Sequence, residues 1–209
     1  MRWLCGRMMG VALVAAVVTG CGSTSGDDAL VFQFVDFDSN GLTQADSVRG
    51  NSADVDILQD CCVAVEEGLC SDPEPFTQTI INATFRNNEA ADLQLQQVAI
   101  TVGSLAPITH QLDGKIEGGR CTNIDQQCSA DADCVSALST TVGSCVHTET
   151  TINGILLFDF SDKQRFLSQP GTYNVTITFF ASDPVHTFQT STGYTVTFAD
   201  YDNCTTTGG

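Results

Sequence analysis

Two stretches near the C-terminal end of the chain alternate in side-chain character with a period of two. Tyr173, Val175, Ile177 and Phe179 interleave with Asn174, Thr176, Thr178 and Phe180, and Tyr194, Val196 and Phe198 interleave with Thr195, Thr197 and Ala199. Successive side chains of a β-strand point to opposite faces, so this is the pattern of two strands that each bury one face. Pro170-Gly171 opens the first stretch, and the two are expected to form an antiparallel hairpin. Beyond the N-terminal segment, no part of the chain sustains a 3.6-residue period. That restricts the chain to an all-β class.

The rest of the chain supplies further short strands. Leu30–Phe37 is apolar and aromatic, Val55–Leu58 is a shorter candidate, and Phe76–Arg86 is β-branched and stops at Asn87-Asn88. Leu93–Val102 alternates but changes phase at Gln96-Gln97, which predicts a β-bulge or bend there. Ile152–Phe160 is an apolar run. Ser161–Ser168 can hold one helical turn, with Ser161 as cap and Phe166 and Leu167 turned inward. Six to eight short strands separated by turns predict an antiparallel β-sandwich. With 209 residues and 42% hydrophobic content, the chain can form one core of ordinary size. The run Pro170-Gly-Thr-Tyr-Asn-Val-Thr-Ile-Thr178 resembles the late strands of immunoglobulin-like domains in bacterial surface proteins, a likeness confined to residues 170–199. It implies an immunoglobulin-like sandwich, expected to span residues 30–204 with a tail at 205–209.

The N-terminus carries an address. Arg2 and Arg7 precede an apolar segment from Met8 to Val18, the layout of a signal peptide and too short for a transmembrane span. It ends in Val18-Thr19-Gly20-Cys21, which resembles the bacterial lipobox. The resemblance implies cleavage of residues 1–20 and lipidation of Cys21, with the protein then anchored to a membrane by its acyl chains. Gly22 in place of Asp leans the sorting towards the outer membrane of the bacterial cell envelope. Residues 21–29 are small and polar after the cysteine and read as a lipidated, flexible tether.

Removing the signal leaves Cys61, Cys62, Cys70, Cys121, Cys128, Cys134, Cys145 and Cys204 besides Cys21. An even set in an exported chain implies disulfides. No Cys-x-x-Cys occurs, so zinc-knuckle, thioredoxin-like and c-type haem readings lack their motif. Four cysteines cluster in Cys121–Cys145, and pairing within the cluster is expected, as Cys121–Cys134 and Cys128–Cys145. Cys204 would then return to Cys61 or Cys62. Residues 118–148 hold few apolar side chains and are expected to form a stapled loop inserted into the sandwich. The core of this loop, Cys128-Ser-Ala-Asp-Ala-Asp-Cys134, resembles small cysteine-rich inserts of exported bacterial proteins.

The formal charge is −17, and loss of Arg2 and Arg7 with the signal leaves 25 acidic against 6 basic residues. Such a surface repels nucleic acid, which is not an expected partner. The sharpest site candidate is Asp36-Phe-Asp38-Ser-Asn40-Gly41. Oxygen ligands at alternate positions with glycine at the sixth match the start of a calcium loop, although Ser47 stands where the closing acid belongs. An ion-free aspartate turn explains the same letters. The Asp125–Asp133 region, with Asp131 and Asp133 between cysteines, is a weaker candidate of the same kind. No Gly-x-Ser-x-Gly or His-Glu-x-x-His is present, and His110, His147 and His186 share no motif. They read as loop residues. No cofactor other than calcium is expected. Three functions stay open: a structural, adhesive or assembly-accessory envelope module with a protein partner, a calcium- or ligand-binding lipoprotein, and an extracytoplasmic enzyme, for which the sequence offers only its compartment.

Overall fold

The computed structural model describes residues 31–38, 47–58, 62–66, 69–73, 77–135 and 142–201. The expected signal segment and tether, with Cys21, and Asn40, Cys61 and Cys204 lie outside them. The strands are β1 (Phe32–Asp38), β2 (Ser47–Arg49), β3 (Ser52–Asp56), β4 (Cys62–Glu66), β5 (Leu69–Pro73), β6 (Thr79–Asn87), β7 (Leu93–Val102), β8 (Ile108–Ile116), β9 (Arg120–Cys121), β10 (Cys145–Val146), β11 (Glu149–Phe158), β12 (Gly171–Ser182) and β13 (Thr187–Ala199). One short helix, α1 (Phe160–Gln164), lies between β11 and β12. No helix among the described residues is long and apolar enough to cross a membrane.

Two sheets form the body. One has the order β2-β3-β13-β12-β7-β8 and the other β1-β6-β11. The expected hairpin is the centre of the larger sheet: Tyr173 faces Val196 and Val175 faces Tyr194 across β12 and β13. Their inward positions, among them Val175, Ile177, Phe179, Val196 and Phe198, are buried. The phase change in β7 is a bulge: pairing with β8 slips between Leu95 and Gln97, and pairing with β12 slips at the same place.

The sheets meet through aromatic rings. Phe179 of β12 lies 4.9 Å from Phe85 of β6, edge to face, and stacks on Phe34 of β1 at 6.0 Å. Such pairs add about 0.5–1.5 kcal/mol beyond the area they bury. A second cluster closes the opposite end, where Phe166 stacks on Phe198 at 3.8 Å.

Three sequence expectations are corrected, and one long strand comes in addition to those expected. The sheets are not purely antiparallel, because β13 pairs with β3 in parallel, with Phe198 beside Val55. Strand β8 is additional to the expected strands. The cap of α1 is Asp159, not Ser161: Asp159 Oδ1 accepts from Asp162 N at 2.9 Å, and Ser161 Oγ donates to the same oxygen. The aspartate reaches the orphaned amide because it stands just outside the first turn. Phe166 is buried as expected, but Leu167 is exposed.

Candidate functional site

The segment between β8 and β11 contains the cysteine cluster. Strands β9 and β10 pair antiparallel, with Cys145 opposite Cys121. The loop between them carries a 3-10 turn at Asp131–Cys134. Cys121 is bonded to Cys134, and Cys128 to Cys145, with S–S lengths of 2.05 and 2.08 Å. These are the two pairs expected within the cluster. Sulfur atoms of Cys121, Cys128 and Cys134 lie within 4.8 Å of one another, so the disulfides stack into one cluster. Cys128 and Cys134 are fully buried.

Carboxylates and amides, not apolar side chains, shape the loop. Asp133 accepts from Ser129 N at 2.8 Å and Ala130 N at 3.0 Å, and these amides hold its carboxyl below the usual range. Asp131 accepts from Cys145 N at 2.7 Å. The two acids named as a weaker calcium candidate thus serve as acceptors for the loop's own backbone. Asp36 and Asp38 of the stronger candidate lie on β1, opposite Thr84 and Asn82 of β6, and Asp36 is exposed.

The insert is fastened to the turn between β6 and β7. Gly119 N donates to Glu89 O at 2.9 Å, and Cys128 N donates to Gly119 O at 2.9 Å. Asp92 is the polar anchor. It accepts from Gly118 N at 2.9 Å and pairs with Lys115 at 2.9 Å and Arg120 at 3.5 Å. The Gly118 amide and then the Lys115 ammonium hold the Asp92 carboxyl below its ordinary value. No side chain fits at this junction. A Cβ on Gly118 would fall 2.2 Å from Ala90 O, and one on Gly119 would fall 2.2 Å from Cys128 O. The Gly118-Gly119 pair is itself a sequence signal of close backbone approach, one that the apolar pattern does not carry.

His147 completes the fastening. Its Nδ1 lies 2.8 Å from Asn87 O and its Nε2 lies 3.5 Å from Cys145 Sγ. A carbonyl oxygen only accepts, so Nδ1 carries the hydrogen and Nε2 faces the sulfur with its lone pair.

A second cluster joins residues far apart in sequence. His110 stands on β8, not in a loop, and its Nε2 lies 3.1 Å from both Leu157 O and Asp162 Oδ2. Asp159 and Asp162 form a reciprocal cap, with Asp159 N donating to Asp162 Oδ2 at 3.1 Å. Burial pushes the Asp162 carboxyl up, while the Asp162 amide pulls Asp159 down. His110, Asp159 and Asp162 bring ligand atoms within 4.8 Å of one another. A nitrogen set between a carbonyl and a carboxylate carries its hydrogen and offers no lone pair to a metal. The group therefore works as a tie between β8, β11 and α1. Lys163 adds to it by donating from its buried Nζ to Thr77 O at 2.8 Å. His186 stays apart from both clusters, exposed in the turn between β12 and β13 beside Asp183.

No family model matches the chain, and no curated protein matches it in sequence. Among solved structures, the chain has a likeness to the CooA pilin subunit from enterotoxigenic Escherichia coli. The identity is 11% and the TM-score 0.25, over 81% of this chain and 97% of that one. At that score the likeness carries no argument.

Proposed function

We propose that the chain is an exported, lipid-anchored module of the bacterial cell envelope that serves as a structural, adhesive or assembly-accessory unit. The observation that carries this reading is the pair of disulfides in the insert. Stable disulfides belong to oxidising compartments outside the cytoplasm. They stand behind a leader of the secretory type and the lipobox-like Cys21. The insert they hold is fixed to the body through Asp92 and the Gly118-Gly119 approach, so it presents a rigid loop on a β scaffold, the usual arrangement for recognition. The immunoglobulin-like character belongs to this proposal, as does the outer membrane as the place of anchoring.

Cell fractionation tests the anchor. Cys21→Ser should move the protein from the membrane fraction to the soluble fraction, and a variant that stays bound overturns the lipid attachment. Cross-linking in intact cells tests the role. Recovery of one envelope protein in fixed ratio supports an assembly unit, and recovery of the monomer alone overturns it.

A further inference from the structure

We propose that the four cysteines of the insert form a thiol–disulfide exchange unit. Its two-electron-reduced state holds a buried Cys128–Cys134 disulfide beneath an accessible Cys121/Cys145 thiol pair. Three observations carry this. The sulfurs of Cys121, Cys128 and Cys134 lie within 4.8 Å of one another, close enough for one disulfide to exchange with the other after a small closing motion. Cys128 and Cys134 are fully buried, whereas the Cys121 and Cys145 residues each keep part of their surface exposed, so an outside thiolate approaches from their side. Cys121 and Cys145 also face each other across β9 and β10. Directly opposed residues of an antiparallel pair have Cα atoms about 4.5–5.5 Å apart. That is within disulfide range, so the surface pair can close again into a bond.

The reductant is a dithiol. Its first thiolate attacks Cys121 Sγ, forming a mixed disulfide and expelling Cys134 as thiolate. Cys134 attacks Cys128 Sγ, forming the Cys128–Cys134 bond and expelling Cys145 as thiolate, which takes up one proton. The second thiol of the reductant then attacks its own sulfur in the mixed disulfide, closing to a cyclic disulfide and releasing Cys121. Entry at Cys145 runs the relay in reverse and ends in the same product. In either direction the dithiol loses two electrons and two protons, and one protein disulfide becomes two thiols.

His147 makes the two surface cysteines unequal. Its Nε2 lone pair faces Cys145 Sγ at 3.5 Å, held there by the Nδ1 bond to Asn87 O. An imidazole in that place accepts the thiol proton and favours the thiolate. Cys145 is therefore the more reactive member of the pair.

The folded full-length protein is treated with an equimolar amount of dithiothreitol, blocked with N-ethylmaleimide, and mapped by mass spectrometry of its peptides. The expected product carries the label on Cys121 and Cys145, with Cys128 joined to Cys134. Label on Cys121 with Cys134, on Cys128 with Cys145, or on all four together overturns the relay. His147→Gln should slow alkylation of Cys145 at neutral pH by about tenfold and leave Cys121 unchanged. No loss, or an equal loss at both cysteines, overturns the role of His147.

Discussion

The two-sheet body and the insert solve the same problem by opposite means. The body orders its strands by burying aromatic and β-branched side chains between sheets, with Phe85, Phe179 and Phe198 fully buried. Within the insert, the buried apolar side chains among the described residues are Cys128 and Cys134. Its order comes from two covalent bonds, a set of amide-to-carboxylate hydrogen bonds and the anchor at Asp92. A segment too small to pay for its conformational entropy by burial must restrict the unfolded chain instead. The difference predicts that the two regions fail separately and respond to different agents.

The largest effect is expected in the body. Phe179→Ala removes a ring that touches Phe34, Phe37 and Phe85 and should cost about 3–5 kcal/mol in denaturant unfolding. If the loss is under about 1 kcal/mol, the aromatic seam does not hold the sheets together. Next is the covalent staple. Replacing Cys121 and Cys134 by Ser should cost about 2–4 kcal/mol, felt mainly in the insert. Hydrogen exchange should quicken across 120–146 while β7, β12 and β13 stay protected. Equal loss in both regions would show that they unfold as one unit.

Gly118→Ala tests the junction between them. The added methyl meets the Ala90 backbone, and the expected cost is about 1–3 kcal/mol with the insert lifted from the β6–β7 turn. Unchanged exchange at Glu89 and Gly119 would mean that the close approach is not what fastens the insert. The smallest effect belongs to Asp92→Asn, at about 1 kcal/mol near neutral pH. The folded protein holds the Asp92 carboxyl below its ordinary value, so this stability is present above the unfolded pKa. It is lost as pH falls through the folded one. Wild type and variant should therefore converge in acid, and a gap that persists below about pH 2 would remove charge from the explanation.

Legibility in the sequence followed locality. The β12–β13 hairpin and the β7 bulge were readable because each is written in consecutive side chains. Strand β8 was not, although it alternates perfectly. Its inward positions are Ile108, His110, Leu112, Gly114 and Ile116, and a histidine and a glycine break the apolar rhythm. His110 turns inward because Asp162 and the Leu157 carbonyl receive it, and Gly114 because the Ile152 side chain fills its space. Both reasons lie on other elements, β11 and α1. The Asp159-x-x-Asp162 spacing is a readable capping signal, but Ser161 is an equally good capping residue by type and stands nearer the apolar residues of the turn. At the candidate site the clustering of four cysteines was visible in the spacing, whereas the choice among its possible pairings, the stacking of the sulfurs and the placing of His147 depend on the fold.

The parallel pairing of β3 with β13 has a consequence for the order of events. Ser52 and Tyr194 are bonded across 142 residues of chain, and β13 lies between β3 and β12 in the sheet. Until residues 187–199 are in place, the β2–β3 pair has no further strand to join and the larger sheet has a gap. A chain emerging from its N-terminus, whether from a ribosome or through a membrane, must therefore wait until residue 199 has emerged before this sheet can close. Such long-range closure makes folding slow. During that wait the early strands stay open to whatever holds unfolded chains.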